Sequence, residues 1–247
     1  MSAKSHTLAL SALLLFSLLP SLASAGNFGV TPIRLDLGRD ARTGAVTVTN
    51  DSPDAPLNIQ VRVFEWTQDA EGKDQYEESK DLTYFPRILT LPPKEKHLVR
   101  AGIRVPPKDR ERAYRLFIEE IPDLRKAEGK GAQVAVAVRF GVPVFVKPLT
   151  EEVRGEIESL RVAAGKVEVS VRNSGNVHFA IDSVKLKSGE RYEQSLPGWY
   201  LLPGAARTYA AQIPPDVCMT LGRLDIVVKT DRMELTRSVE IDKAQCR

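Results

Sequence analysis

Apolar and polar residues alternate along most of the chain from Phe28 onward. A period of two residues runs through 46–50 and 59–63, and it returns in 167–171. Successive side chains of a β-strand point to opposite faces, so this period indicates strands that are buried on one side. Turn-forming residues such as those at 50–53 separate the alternating segments. No stretch keeps a 3.6-residue apolar period over the length of a helix, so the pattern predicts an all-β protein built from sandwiches.

The alternation stops near Lys147–Thr150, where Pro148 ends one predicted strand, and a second alternating set follows. The chain has 247 residues, which is enough for two domains at roughly 100 to 200 residues each. We therefore predict an N-terminal sandwich domain over 26–148 and a C-terminal sandwich domain over 149–247. Within the first domain, the highly charged segment Asp69–Asp81 is predicted to form a solvated hairpin.

The first 25 residues have the pattern of a secretory signal peptide. Lys4 precedes the uncharged run Leu8–Leu19, and Ala23-Ser24-Ala25 supplies the small residues that a signal peptidase accepts. The run is shorter than the roughly 20 residues that span a bilayer, so we predict cleavage after Ala25 and no membrane insertion. In the oxidising compartment beyond the membrane, Cys218 and Cys246 can form a disulfide.

Composition and motifs exclude several classes of function. The chain has 35 basic and 32 acidic residues, so a polybasic nucleic-acid binder is excluded and no nucleic-acid partner is expected. Two cysteines and three histidines are too few for a zinc framework, and no metal is expected. No hydrolase elbow, phosphate loop or dinucleotide turn occurs, and His97 and His178 are interpreted as ordinary strand or turn residues. We therefore predict no catalytic residues, no enzymatic activity and no cofactor.

One segment resembles the signature of the periplasmic pilus (fimbrial) assembly chaperones. It contains Asp109-Arg110-Glu111, then the aromatic Tyr114, then Glu120-Ile121-Pro122. Three further segments fit the same family: Val30–Arg34, Val99-Arg100 and Val144–Pro148. Segments 64–68 and 173–179 are more similar to the archaic or alternative chaperone–usher branch. The resemblance implies two immunoglobulin-like β-sandwiches set at an angle, which agrees with the period of two residues.

The resemblance also implies a function. Such a chaperone folds and caps pilin subunits, each an immunoglobulin-like domain that lacks its last strand, and delivers them in the periplasm to an outer-membrane usher. It lends the missing strand by strand addition. The predicted strand 133–140 suits this role, because four apolar side chains share one of its faces: Val134, Val136, Val138 and Phe140. In the alternative interpretation, these four residues pack only into their own domain.

The family binds the C-terminal carboxylate of the subunit with an arginine on the first strand and a lysine on the last strand of domain one. Arg34 matches the arginine, but Pro143 stands where the lysine is expected. Arg139 or Arg100 could supply the second cation, and an arginine fork holds a carboxylate well. In the family, the positions of Glu111 and Lys147 join a buried inter-domain ion-pair network, so both are predicted to be architectural.

Two other classes of function compete with the chaperone. A secreted β-sandwich module for binding or adhesion would expose an aromatic platform, for which only Trp66 and Trp199 are available. A hydrolase on a sandwich scaffold would need catalytic residues that the sequence does not assemble.

Overall fold

The structure is a computed structural model that describes residues 28–122 and 137–247. The predicted signal peptide, Val134 and Val136 lie outside the described residues. Within 28–122 and 137–146, the described residues form ten strands: β1 (Phe28–Thr31), β2 (Leu35–Leu37), β3 (Thr43–Asn50), β4 (Leu57–Gln68), β5 (Asp74–Glu78), β6 (Leu82–Phe85), β7 (Ile88–Leu91), β8 (Lys96–Ile103), β9 (Arg112–Glu120) and β10 (Arg139–Val146).

These strands form two packed sheets. The first has the order β1-β3-β8-β6, and the second has the order β2-β10-β9-β4-β5, with β7 paired to β4. Strand β10 runs antiparallel to β9 and parallel to β2. The alternating residues of β3 and β4 explain the layers, because Val46, Val48 and Ile59 are fully buried between the sheets.

The second half forms a further sandwich. Its strands are β11 (Gly155–Ala163), β12 (Lys166–Asn173), β13 (Phe179–Ser188), β14 (Tyr192–Pro197), β15 (Tyr200–Leu201), β16 (Ala206–Gln212), β17 (Arg223–Thr230) and β18 (Glu234–Glu240). One sheet has the order β11-β12-β16, and the other has the order β14-β13-β17-β18 with β15 paired to β13. Two short helical segments complete it: α1 (Pro215–Cys218) and the 3-10 helix Lys243–Cys246.

The predicted all-β class is confirmed in both halves. The alternating valines of β12 are fully buried, and Cys218 and Cys246 form the predicted disulfide. The predicted domain boundary at 148–149 lies between the end of β10 and the start of β11 and stays a prediction. No helix within 28–122 and 137–247 is long and apolar enough to cross a membrane.

A small third apolar cluster joins the two sandwiches. It consists of Trp66, Ala113, Phe145 and Leu202, with Tyr200 packed against it. The first three come from the second sheet of the first sandwich, and the last two come from the second sandwich. This cluster, which we call the seam, places the outer face of that sheet against the second sandwich.

Candidate functional site

The outer face of the second sheet carries a set of arginines and aromatic rings, which we call the cationic face. Leu116, Ile118 and Val144 point into the core, so the alternate residues of β9 and β10 point outward. The outward-facing residues on β4, β9 and β10 and beside β2 include Arg34, Arg62, Arg115, Arg139, Phe64, Trp66, Phe117 and Phe145. Several guanidinium groups stack on these rings, which holds the cations in fixed positions.

Arg34 lies immediately before β2, at the edge of the cationic face. Its Nη2 atom is 2.7 Å from Oδ1 of Asp36, and the side chain is 29% exposed. The guanidinium carbon lies 5.0 Å from the centre of the Phe145 ring. Partial burial lowers the pKa of Arg34, but the hydrogen bond and charge of Asp36 outweigh it, so that the net pKa is raised. Arg34 is therefore charged, positioned and accessible to an anion.

Arg115 lies beside the position of the missing lysine. Pro143 on β10 pairs directly with Arg115 on β9, so the two residues are neighbours on the cationic face. The guanidinium carbon of Arg115 lies 3.8 Å from the centre of a Trp66 ring, and its Nη1 donates to the carbonyl oxygen of Gly141 at 2.9 Å. The neighbouring strand β9 thus places the cation of Arg115 beside Pro143, the position where the family has a lysine.

Arg115 was not predicted from the sequence, because it lies inside the Asp-Arg-Glu to Glu-Ile-Pro signature. The signal that identifies it is the register of β9 against β10, since only that pairing shows which β9 side chain lies next to Pro143. Arg115 is only 6% exposed, and its Nε and Nη2 atoms have no hydrogen-bond partner among the described residues. A buried donor without a partner costs about 1 to 3 kcal/mol, so an acceptor that reached these two donors would be bound favourably.

The two cations predicted to replace the lysine lie in different places. Arg139 is on the cationic face, four residues from Pro143, where it forms a 2.6 Å ion pair with Glu119 and is 50% exposed. Arg100 pairs with Ala45 on β3 of the other sheet and faces outward there. Arg100 and Arg34 are thus on opposite sides of the sandwich, so the prediction that Arg100 joins Arg34 is wrong.

The described part of the predicted donor strand is the start of β10. Val138 and Phe140 are half-buried and pack against the edge of the core, where Phe140 meets Phe28 edge-to-face at 5.0 Å. Strand β9 pairs along all of β10, whereas β2 pairs only with Val144–Val146. Among the described residues, the backbone edge of β10 therefore has no ladder partner over 139–143. Such an edge is a template for strand addition.

Glu111 forms a buried hydrogen bond between the two sandwiches, with a partner that differs from the predicted one. Its Oε1 atom lies 2.6 Å from Nδ1 of His178, and both side chains are fully buried. The backbone N–H of His178 donates to the same oxygen at 3.0 Å, and the imidazole stacks on Phe145 at 3.5 Å. Lys147 instead pairs at the surface with Glu151 at 3.0 Å. The predicted grouping of Glu111 with Lys147 is therefore corrected, because the buried partner of Glu111 is His178.

The β4–β5 hairpin is also not simply solvated. Gln68 Nε2 donates to the carbonyl oxygen of Tyr200 at 2.9 Å, and Gln68 Oε1 accepts from the N–H of Leu202 at 3.0 Å. Trp199 Nε1 donates to Oδ2 of Asp74 at 2.9 Å. The predicted hairpin is present, but it bridges the two sandwiches, because its polar side chains reach backbone groups beyond the seam.

The tryptophans do not form a binding platform. Trp66 is 1% exposed in the seam and Trp199 is 42% exposed, so only the second offers an accessible ring. An adhesion module of the kind considered from sequence would need a wider aromatic surface.

Comparison with known proteins assigns the family. Residues 27–151 match the family described as "Pili and flagellar-assembly chaperone, PapD N-terminal domain". The chain belongs to this chaperone family. One curated relative of this chain, the chaperone protein FanE of Escherichia coli, is 27% identical over 121 residues, or 46% of this chain. The match covers 52% of the length of FanE, so the chain spans about half of this curated relative.

Solved structures of pilus chaperones share the fold. One is the CsuC–CsuE chaperone–tip subunit complex of archaic Csu pili from Acinetobacter baumannii, with a TM-score of 0.61, 22% identity, and coverage of 84% of this chain and 97% of that chain. Another is the CupB2 chaperone of Pseudomonas aeruginosa, with a TM-score of 0.56, 16% identity, and coverage of 87% and 100%. A third is the SafB chaperone with the SafA pilin from Salmonella enterica, with a TM-score of 0.55, 15% identity, and coverage of 90% and 100%.

Proposed function

We propose that this chaperone caps pilin subunits by donor-strand complementation and delivers them to an outer-membrane usher. The observation that carries the proposal is the backbone edge of β10 over 139–143, which has no ladder partner among the described residues. A subunit that lacks a strand exposes a hydrophobic groove and two unpaired edges. Among the described residues, β10 offers a free backbone edge over 139–143, and the sequence over 134–140 supplies alternating apolar side chains.

The strand acts through burial and backbone pairing. Val134, Val136, Val138 and Phe140 are proposed to enter the subunit groove. Each apolar side chain moved from water into the groove contributes about 1.5 to 3 kcal/mol before the cost of ordering. Val138 and Phe140 are only half-buried in their own domain, so both still have apolar surface to bury. The backbone ladder adds register without demanding one subunit sequence.

The cationic face is proposed to hold the C-terminal carboxylate of the subunit. Arg34 offers a partly exposed guanidinium that is paired with Asp36, and Arg115, next to Pro143, supplies the second cation. The two unpartnered donors of Arg115 match the two oxygens of a carboxylate, which arginine binds through parallel hydrogen bonds. Arg139 lies further along the same face and is proposed as a secondary contact near the anchor.

The remaining predictions fit this role. The protein is proposed to work in the periplasm after cleavage following Ala25, as two domains over 26–148 and 149–247. It needs no cofactor and catalyses no reaction, because the free energy comes from folding the client. Glu111 with His178 and Lys147 with Glu151 are proposed to set the geometry between the sandwiches.

The proposal is tested by periplasmic co-expression with a candidate pilin that lacks its last strand. We expect a one-to-one complex to purify, and we expect charged residues at Val136 and Val138 to abolish it in a chaperone that still folds. Leu98→Asp is the matched control, because Leu98 is an exposed apolar strand residue on the other sheet. Unchanged capture by the Val136 and Val138 variant would remove the strand from the mechanism.

A further inference from the structure

The side chain of Arg115 is enclosed in a way that bears on how the anchor works. Its Nε and Nη2 atoms are buried and have no partner among the described residues. A carboxylate from outside cannot reach these atoms without displacement of a neighbouring group. At least one wall of the enclosure must therefore move when the anchor is used.

Three aromatic rings lie within 6 Å of the guanidinium carbon, and Tyr76 lies on the strand that pairs with Trp66. The guanidinium carbon lies 3.8 Å from the ring centre of Trp66, 5.6 Å from Trp199 and 5.7 Å from Tyr200. Trp66 is fully buried in the seam, and Tyr200 packs against Trp66, Phe145 and His178. Trp199 is 42% exposed, which makes it the least confined of the three.

One side-chain hydrogen bond fixes Trp199. Its indole N–H donates to Oδ2 of Asp74 at 2.9 Å. Asp74 is itself held, because Gln68 Nε2 donates to its Oδ1 at 3.0 Å and the Tyr76 hydroxyl donates to its Oδ2 at 3.2 Å. The hairpin of the first sandwich thereby holds a ring of the second sandwich over Arg115.

We propose that Trp199 is a gate over Arg115 and that Asp74 is its latch. The inference rests on the proposed carboxylate anchor and adds a step that regulates access to Arg115. In the closed state an incoming subunit meets Arg34 and Arg139 but not Arg115. The terminal carboxylate reaches Arg115 when the Trp199 side chain rotates outward. Two charge-assisted hydrogen bonds to Arg115 then offset the free-energy cost of moving Trp199. A chain without a free terminal carboxylate does not make those bonds, so the gate adds selectivity for a genuine subunit terminus.

The gate has a measurable consequence. When only the open fraction of a protein binds, its apparent affinity is reduced by that fraction. Weakening the latch raises the open fraction and therefore tightens binding. We expect Asp74→Ala to bind a free carboxylate about fivefold more tightly, which corresponds to about 1 kcal/mol at 1.4 kcal/mol per tenfold. Glu77→Ala removes a carboxylate from the same strand that makes no side-chain bond among the described residues, and it should bind like the wild type.

The experiment uses the full mature chain and a short peptide of alternating valine and threonine that ends in a free carboxylate. The same peptide ending in an amide is the reference ligand. Incorporation of 5-fluorotryptophan gives one fluorine resonance each for Trp66 and Trp199, the two tryptophans of the chain. In Asp74→Ala, the Trp199 resonance should move towards the solvent-exposed position, the Trp66 resonance should stay, and only the carboxylate peptide should bind more tightly.

Several outcomes overturn the gate. The first is a Trp199 resonance that does not move in Asp74→Ala. The second is carboxylate affinity in that variant that is unchanged or weaker than in the wild type. The third is a gain in affinity that persists when Arg115→Met is added. A wild-type protein that binds carboxylate and amide equally would instead refute the anchor, and the gate with it. The anchor alone survives if the wild type prefers the carboxylate and Asp74→Ala does not increase that preference.

Discussion

Replacing Arg115 by methionine tests whether a buried arginine serves the partner or only the fold. Methionine keeps an unbranched apolar stem against Trp66 but removes the charge and all donors. For folding, the change loses the hydrogen bond to Gly141 and the stacking on Trp66, each worth about 1 kcal/mol. It also removes two unpartnered buried donors, each of which costs about 1 to 3 kcal/mol. The losses total about 2 kcal/mol and the relieved costs about 2 to 6 kcal/mol, so the free energy of unfolding should stay level or rise by up to about 4 kcal/mol.

Binding should respond differently. Truncating one member of a desolvated charged pair costs about 2 to 5 kcal/mol. At 1.4 kcal/mol per tenfold, Arg115→Met should weaken binding of a free carboxylate by roughly 30-fold to several thousandfold. Arg115→Lys should recover part of this loss, because it restores the charge without the planar fork.

The assay is calorimetric titration with the carboxylate and amide forms of one peptide, together with urea unfolding of each variant. Arg62→Met is the matched control, since Arg62 also stacks on a ring of the same face but forms an exposed ion pair with Glu78. The reasoning is refuted if Arg115→Met weakens both peptide forms equally, or if its carboxylate affinity stays within about twofold of the wild type.

Three further predictions follow from the same geometry. Arg34→Ala should largely abolish complex formation with a pilin while the unfolding midpoint changes little. Co-purification measures the yield of the complex, and a yield equal to that of the wild type would argue against the anchor. Glu111→Ala leaves the backbone N–H and the Nδ1 atom of the buried His178 without their shared partner, and each unsatisfied group costs about 1 to 3 kcal/mol. Chemical unfolding should show this loss of stability while affinity per folded molecule is nearly kept; a loss of affinity without a loss of stability would indicate direct contact with the subunit. The Lys147 hydrogen bond lowers the pKa of Glu151 below its ordinary value of 4.5, so its small stabilisation is present above pH 4.5 and is lost as the pH falls through the folded pKa. Glu151→Gln should flatten that part of the acid-unfolding curve, and an unchanged curve would contradict the assignment.

The sequence alone was sufficient to predict the all-β class and the buried face of the alternating strands. The valines of β3 and β12 show which face of the strand is buried, because a period of two residues leaves one choice of face in a half-buried strand. The Asp-Arg-Glu signature and its flanking segments were sufficient for the family, and the two cysteines were sufficient for the disulfide in an oxidising compartment.

The composition of the site depends on tertiary structure. Arg115 meets the Pro143 position only through the register of β9 against β10, and Arg100 is excluded from the site only because its strand belongs to the other sheet. Glu111 contacts His178, which lies 67 residues further along the chain. Asp74 contacts Trp199, which lies 125 residues further along. Local pattern determines which side of a strand is apolar, since that depends on neighbours two residues apart. The partner of a polar group depends on strand pairing and on how two sandwiches dock, and these bring together residues that no local period relates.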